Sequence, residues 1–224
     1  MPKHLRSAAD HSDLVSAYVF ARETVISSGY GCEVDWQNAV TIDGITETDF
    51  LREAAWVILS CGMRELVVRK RFAEVSSAFF HWKSSELIVS RRCECTTNAL
   101  RWFNNSRKID AIAQVAELLH LNGFERTIET IKEAGIGPIR ELPYMGPATA
   151  FHFAKNIGLP VAKPDRHLLR IARRTGYGSP QVMCEEIARA TGDTVPVVDL
   201  VIWRYATLVR DYLEVFPLAE CIIQ

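Results

Sequence analysis

Apolar residues recur at helical spacing along almost the whole chain, and nowhere do they alternate persuasively enough to predict strands. Leu14, Tyr18, Ala21 and Val25 share one helical face, and Ile109, Ile112, Val115, Leu118 and Leu119 share another. The Val-rich run at 195–202 keeps the same period, with Val197, Leu200, Val201, Ile202, Tyr205 and Leu208 on a helical pattern to about residue 215. Thr46-x-x-Asp49 reads as a capping box opening an apolar helix that runs to about Cys61. Residues 63–72, 75–82 and 84–92 suggest short helices, and 93–108 are mixed, with a break at Asn104-Asn105-Ser106. Gly29, Gly31 and Gly44 make 29–45 look like a long loop. The pattern predicts an all-α fold of about ten helices.

Composition supports a packed fold and narrows the compartment. Of 224 residues, 48% are hydrophobic and 24% charged, which argues against wholesale disorder. No apolar run reaches the ~18 residues of a membrane span, and the polar residues 1–13 show no secretory signal, so a cytoplasmic protein without membrane contact is expected. Six cysteines are scattered (Cys32, Cys61, Cys93, Cys95, Cys184 and Cys221) and form neither a zinc ribbon nor an iron–sulfur run. The net charge of −1 conceals an uneven distribution: residues 161–174 carry Lys163, Arg166, Arg170, Arg173 and Arg174 against the single acid Asp165.

Chemistry gathers in two adjacent segments. In the first, a short helix at 139–142 is stopped by Pro143, Gly146 is expected to take a positive φ, and Pro147 opens a second helix to about Ile157. Two helices around such a turn present backbone N–H groups at a helix N-terminus, an anion site that a DNA phosphate fits. In the second, Gly158-Leu159-Pro160-Val161-Ala162-Lys163-Pro164 is a loop ending at Asp165, which stands as the N-cap of a basic amphipathic helix from Arg166 to Arg174.

Together these segments resemble the helix-hairpin-helix, Gly/Pro-rich loop, Asp superfamily of DNA glycosylases. The carriers are Leu142-Pro143-Tyr144-Met145-Gly146-Pro147-Ala148-Thr149-Ala150 and Pro164-Asp165-Arg166-His167-Leu168-Leu169-Arg170. Arg107 to Ile112 and Trp56 to Ser60 are similar to upstream helices of that family, so the resemblance covers about 45–215. It implies two helical lobes with a DNA-binding cleft between them: 43–159 with the hairpin at 139–157, and 1–42 together with 160–224. It assigns the catalytic role to Asp165 and DNA contacts to Tyr144, Met145, Gly146, Ala148, Thr149, Arg166 and Arg170. Candidate walls of the base pocket are Trp56, Met63, His152 and Trp203.

The implied partner is double-stranded DNA carrying a damaged or modified base, bound by a monomer. No cofactor is implied, a monovalent cation at the hairpin carbonyls being compatible with the family, and the cysteine cluster of its iron–sulfur branch is absent. Tyr144 stands where the family has the first hairpin glycine, and Ala148 where lyase-active members carry a nucleophilic lysine. The expected activity is therefore base excision without strand cleavage. The alternatives are a bifunctional glycosylase/lyase using Lys155 or Lys163, and a non-catalytic hairpin module. The excised base is not legible, because pocket side chains come from distant helices.

Overall fold

A computed structural model describes residues 8–219, and all regular structure among them is helical. Cys221 lies outside the described residues. Helix α1 (Ala8–Val25) buries Leu14, Ala17, Tyr18, Ala21 and Val25 along one stripe. The chain kinks at Gly29, at φ +90, and re-enters helix α2 (Gly31–Ala39). The expected loop at 29–45 is thus mostly helix, because Gly31 has ordinary helical angles and only Gly29 uses the left-handed region.

Helix α3 (Glu47–Ser60) begins with the capping box read from the sequence: the Asp49 N–H donates to Thr46 Oγ1 at 3.2 Å, and the Thr46 N–H donates to Asp49 Oδ2 at 3.3 Å. Its other end is capped by a side chain from far along the chain. Lys108 Nζ, almost fully buried, donates to the carbonyls of Leu59 (2.7 Å) and Cys61 (2.6 Å). An ammonium there satisfies two terminal carbonyls and opposes the negative end of the helix dipole. Burial lowers the Lys108 pKa.

Short helices α4 (Glu65–Arg69) and α5 (Phe72–Ala78) follow, then a turn at Phe80–Trp82. All three of its residues have positive φ, at 53°, 53° and 62°, and none is glycine. Left-handed backbone costs a non-glycine residue about 1–2 kcal/mol. The turn lays the buried Phe79 and Trp82 rings against each other, 5.1 Å apart and 17° from parallel. Helices α6 (Ser85–Ser90), α7 (Arg92–Trp102), α8 (Ser106–Asn122), α9 (Phe124–Ala134), α10 (Ile136–Arg140) and α11 (Pro147–Asn156) continue the chain. The break at 104–105 is real, and Asn105 caps α8 by accepting from the Lys108 N–H. Helix α9, absent from the sequence reading, presents Phe124, Ile128 and Ile131 at helical spacing. The chain ends in α12 (Arg166–Arg174), α13 (Pro180–Thr191) and α14 (Val195–Leu208), making fourteen α-helices among the described residues.

The chain divides into two compact units, 1–39 with 160–224, and 40–159. In the first, α14 packs against α1, α2, α12 and α13 around Leu14, Tyr18, Ile171, Met183, Val198 and Val201. Arg204 anchors its edge, paired with Glu33 at 2.7 Å and held between the rings of Tyr30 (4.3 Å) and Trp203 (4.6 Å). In the second, α3 and α8 are the central pair, with α11 on α3 and α6 and α7 on α8. Phe50 of α3 meets Phe153 of α11 edge to face at 4.9 Å. Beside them, Asn156 Nδ2 donates to the buried Glu53 Oε2 at 3.0 Å.

Candidate functional site

The second helix of the expected hairpin starts at Pro147 as read from the sequence, but the first is Ile136–Arg140 instead of 139–142, and the strained residue is a different one. Pro147 is the first residue of α11, and Gly146 is its N-cap at φ −66 and ψ 179, ordinary extended backbone. The left-handed residue is Tyr144, at φ +66. Tyr144 therefore takes the conformation that a glycine would supply, at the position where the resembled family has one. The turn closes through the Met145 N–H donating to the Leu142 carbonyl at 3.1 Å. Nothing lies within 4 Å of a Cβ built on Gly146, so neither its backbone angles nor the space around it requires glycine.

The side chains around this turn face different ways. Tyr144 is 38% exposed, and Gly146 and Ala148 are exposed. Thr149 is half-buried, with its hydroxyl 3.7 Å from Cys61 Sγ. Met145 is a core residue at 3% exposure, so its side chain is withdrawn from any ligand at the turn. The amides of Ala148 and Thr149 belong to the first turn of α11 and have no intrahelical acceptor.

The loop that leads to Asp165 is held by two side chains and, at its end, by the Asp165 N–H donating to the Lys163 carbonyl at 2.8 Å. Gln181 Oε1 accepts from the Ala162 N–H (2.7 Å), while its Nε2 donates to the Pro160 carbonyl (3.0 Å). Asp199, 1% exposed, accepts from the Lys163 N–H through Oδ2 at 2.6 Å. The sequence reading missed both residues, since neither lies near the loop in the chain. A buried acid on the apolar helix α14 was the available signal.

Asp165 caps α12 through one oxygen only. Its Oδ1 accepts from the N–H groups of His167 (2.8 Å) and Leu168 (3.0 Å), while Oδ2 receives no hydrogen bond from the described residues. The carboxylate is thus fixed in orientation, with one oxygen left unused. Beside it, His167 stands edge-on to Tyr212 at 5.1 Å. Burial holds the His167 pKa below its ordinary value; Asp165 opposes this, and Arg166, Arg170 and Lys163 add to it. Its Nε2 accepts from Arg166 Nε at 3.1 Å, which assigns the single ring proton to Nδ1. Arg166 and Arg170 are exposed on α12.

The candidate pocket residues fall in both units, Trp56, Met63 and His152 in 40–159 and Trp203 in the other. Trp56 lines a cavity of about 440 Å³ within residues 40–159, together with Arg69, Phe72, Ala73, Ser76 and His81. Met63 is 40% exposed in the turn after α3, His152 is half-buried on α11, and Trp203 packs on Arg204. None of the three lines that cavity. Lys155 is a core residue, 4% exposed, and Lys163 is half-buried in the loop. No cluster of three or more metal-ligating side chains occurs among the described residues, and no described helix is long and apolar enough to cross a membrane.

In comparison with known proteins, no family model, curated protein or solved structure matches the chain.

Proposed function

We propose that the protein is a monofunctional DNA glycosylase: it flips a damaged or modified base out of a duplex and hydrolyses the N-glycosidic bond, leaving an abasic site. The observation that carries this reading is the Asp165 carboxylate, oriented through Oδ1 by two helix amides while Oδ2 accepts nothing from the described residues. Breaking the bond builds positive charge on the deoxyribose, and the free oxygen of a fixed carboxylate can stabilise that charge or take a proton from the attacking water. The hairpin supports the same reading. Its exposed turn and the first-turn amides of α11 suit a phosphate, and backbone contacts of that kind position a duplex without reading its sequence.

The amines of the hairpin favour hydrolysis without strand cleavage. Ala148 carries none, and Lys155 is buried in the core. The second helix of the hairpin therefore offers no nucleophile for an imine.

Asp165→Asn tests the proposal. Asparagine caps helices about as well as aspartate, so the fold and melting temperature should stay close to wild type. Excision should fall by a factor on the order of 10² or more, the scale of losing one electrostatic catalytic group. The assay is a duplex panel carrying uracil, mismatched thymine, alkylated and oxidised purines and modified cytosines, with strands cut by alkali to reveal abasic sites. Full activity in Asp165→Asn, with a loss of about 1 kcal/mol of stability in Asp165→Ala, would reduce Asp165 to a helix cap.

A further inference from the structure

The cavity in residues 40–159 carries features that packing alone does not call for. Trp56 and Phe72, both half-buried, meet at 5.2 Å and 90°, so their rings form a corner in which a flat molecule can lie against one face and meet the edge of the other. Phe72 is backed by Trp82, 6.1 Å away and 25° from parallel, which makes the wall rigid.

Each polar group of the lining can donate, and none is anionic. The Arg69 guanidinium stands over Trp56 at 5.7 Å from the ring centroid and is held by Glu65, one turn earlier on α4. Ser76 contributes a hydroxyl, His81 an exposed imidazole, and no carboxylate lines the cavity. His81 is the middle residue of the left-handed turn Phe80–Trp82. Strained backbone of this kind persists where surrounding packing holds it, and it gathers at ligand sites. Here the stacked Phe79 and Trp82 rings hold the turn, and its middle side chain stands at the cavity.

We propose that this cavity binds a planar heteroaromatic ring with acceptor atoms along one edge, a nucleobase, stacked on Trp56 or Phe72 and held at its edge by Arg69 and His81. The choice of ligand rests on the DNA reading; the geometry of the site does not. Guanine is the preferred probe, because its O6 and N7 offer adjacent acceptors to a guanidinium fork. The base can arrive as a free nucleoside or on a strand, and the two arms of the test separate these sources.

The test is tryptophan fluorescence of the full chain titrated with guanosine and, separately, with a short single strand holding one guanine among abasic analogues. Saturable quenching by at least one ligand is expected, in the millimolar range for the nucleoside. Saturation by guanosine alone identifies a free base as the ligand, and by the oligonucleotide alone a base on a strand. Arg69→Met and His81→Gly should each raise the midpoint roughly tenfold or more, the scale of one lost hydrogen-bonded contact to a base edge. His81→Asn, which tolerates the left-handed turn and keeps a donor, should retain most of the binding. His81→Gly should also melt at or above the wild-type temperature, which separates lost binding from lost folding. Absence of saturation with both ligands, or midpoints unchanged in both Arg69→Met and His81→Gly, would overturn the proposal. Quenching that persists while no duplex in the panel is excised would sink the glycosylase reading and leave the base site standing. Excision without any quenching would do the reverse.

Discussion

The two connections that flank α11 use left-handed backbone in opposite ways. After the helix, Gly158 sits at φ +91, and a Cβ there would lie within 2.6 Å of backbone atoms of Thr41 and Ile42. Before the helix, Tyr144 sits at φ +66 with its ring 38% exposed. At 158 both the dihedral angle and the neighbouring backbone demand glycine. At 144 the dihedral angle favours glycine, and a large aromatic stands there instead. The first is a requirement of packing. The second is an expense that the fold does not require, and it lies on the surface proposed to meet DNA.

Breaking the packing side of this comparison should give the largest effect. Gly158→Ala places a methyl against backbone that cannot swing aside, on top of an unfavourable φ. A loss of more than about 3 kcal/mol is expected, read as a lowered denaturant midpoint at unchanged m. A loss below about 1 kcal/mol would show that the 41–42 strand of chain yields, and would remove the contrast with Tyr144.

The loop beyond Gly158 is the next place to press. Asp199→Ala leaves the Lys163 N–H without its charged acceptor, and hydrogen bonds to charged groups are worth about 1.5–3 kcal/mol. A loss of about 2 kcal/mol is expected, with faster amide exchange across residues 160–165 and a greater fall in excision than in DNA binding. Unchanged exchange in the loop would show that Gln181 alone holds it.

Helix α11 itself is tied to α3 through Glu53 and Asn156, and this tie should be sensitive to pH. Burial raises the Glu53 pKa above 4.5, while Asn156 and Arg52 oppose the shift. A raised carboxyl pKa contributes stability that is complete below the unfolded value and is lost as pH rises through the folded one. Glu53→Gln keeps an acceptor for Asn156 and removes the buried charge. Its stability relative to wild type should therefore improve between about pH 4 and neutrality, measured as denaturant midpoints at both. A difference that does not change with pH would show that Glu53 is fully compensated by its partners.

What the sequence made legible follows from the range of the interactions involved. The capping box at Thr46, Pro147 at the start of α11 and Asp165 as the cap of α12 are set by neighbours within three residues, and each stands as expected. Helix α2 was hidden because Gly31, which is helical, has the same letter as Gly29, which is not. The left-handed turn at 80–82 had little local signal, since Phe and Trp are poor residues for it and the ring packing of Trp82 on Phe79 and Phe72 helps to hold it. The loop anchors Gln181 and Asp199 act over 19 and 36 residues. Trp56 was legible as a candidate wall, but Arg69, Phe72 and His81 join it through short helices whose packing no local pattern encodes.

Tyr144→Gly tests the other side of the comparison, with the smallest effect on stability and an opposite sign. Relief of the left-handed strain gains about 1–2 kcal/mol, and the greater freedom of glycine in the unfolded chain takes back about 0.5–1 kcal/mol. A net stabilisation of about 0.5 kcal/mol is expected, whereas Gly158→Ala should destabilise severely. DNA affinity should move against stability. The exposed ring is lost, and a base or sugar that rests on it loses a contact worth about 1–3 kcal/mol. Higher melting temperature together with weaker duplex binding would show that the turn keeps tyrosine for its surface, at the expense of the fold. Higher melting temperature with unchanged binding would make Tyr144 a tolerated residue, and the hairpin would then hold DNA through its backbone amides alone.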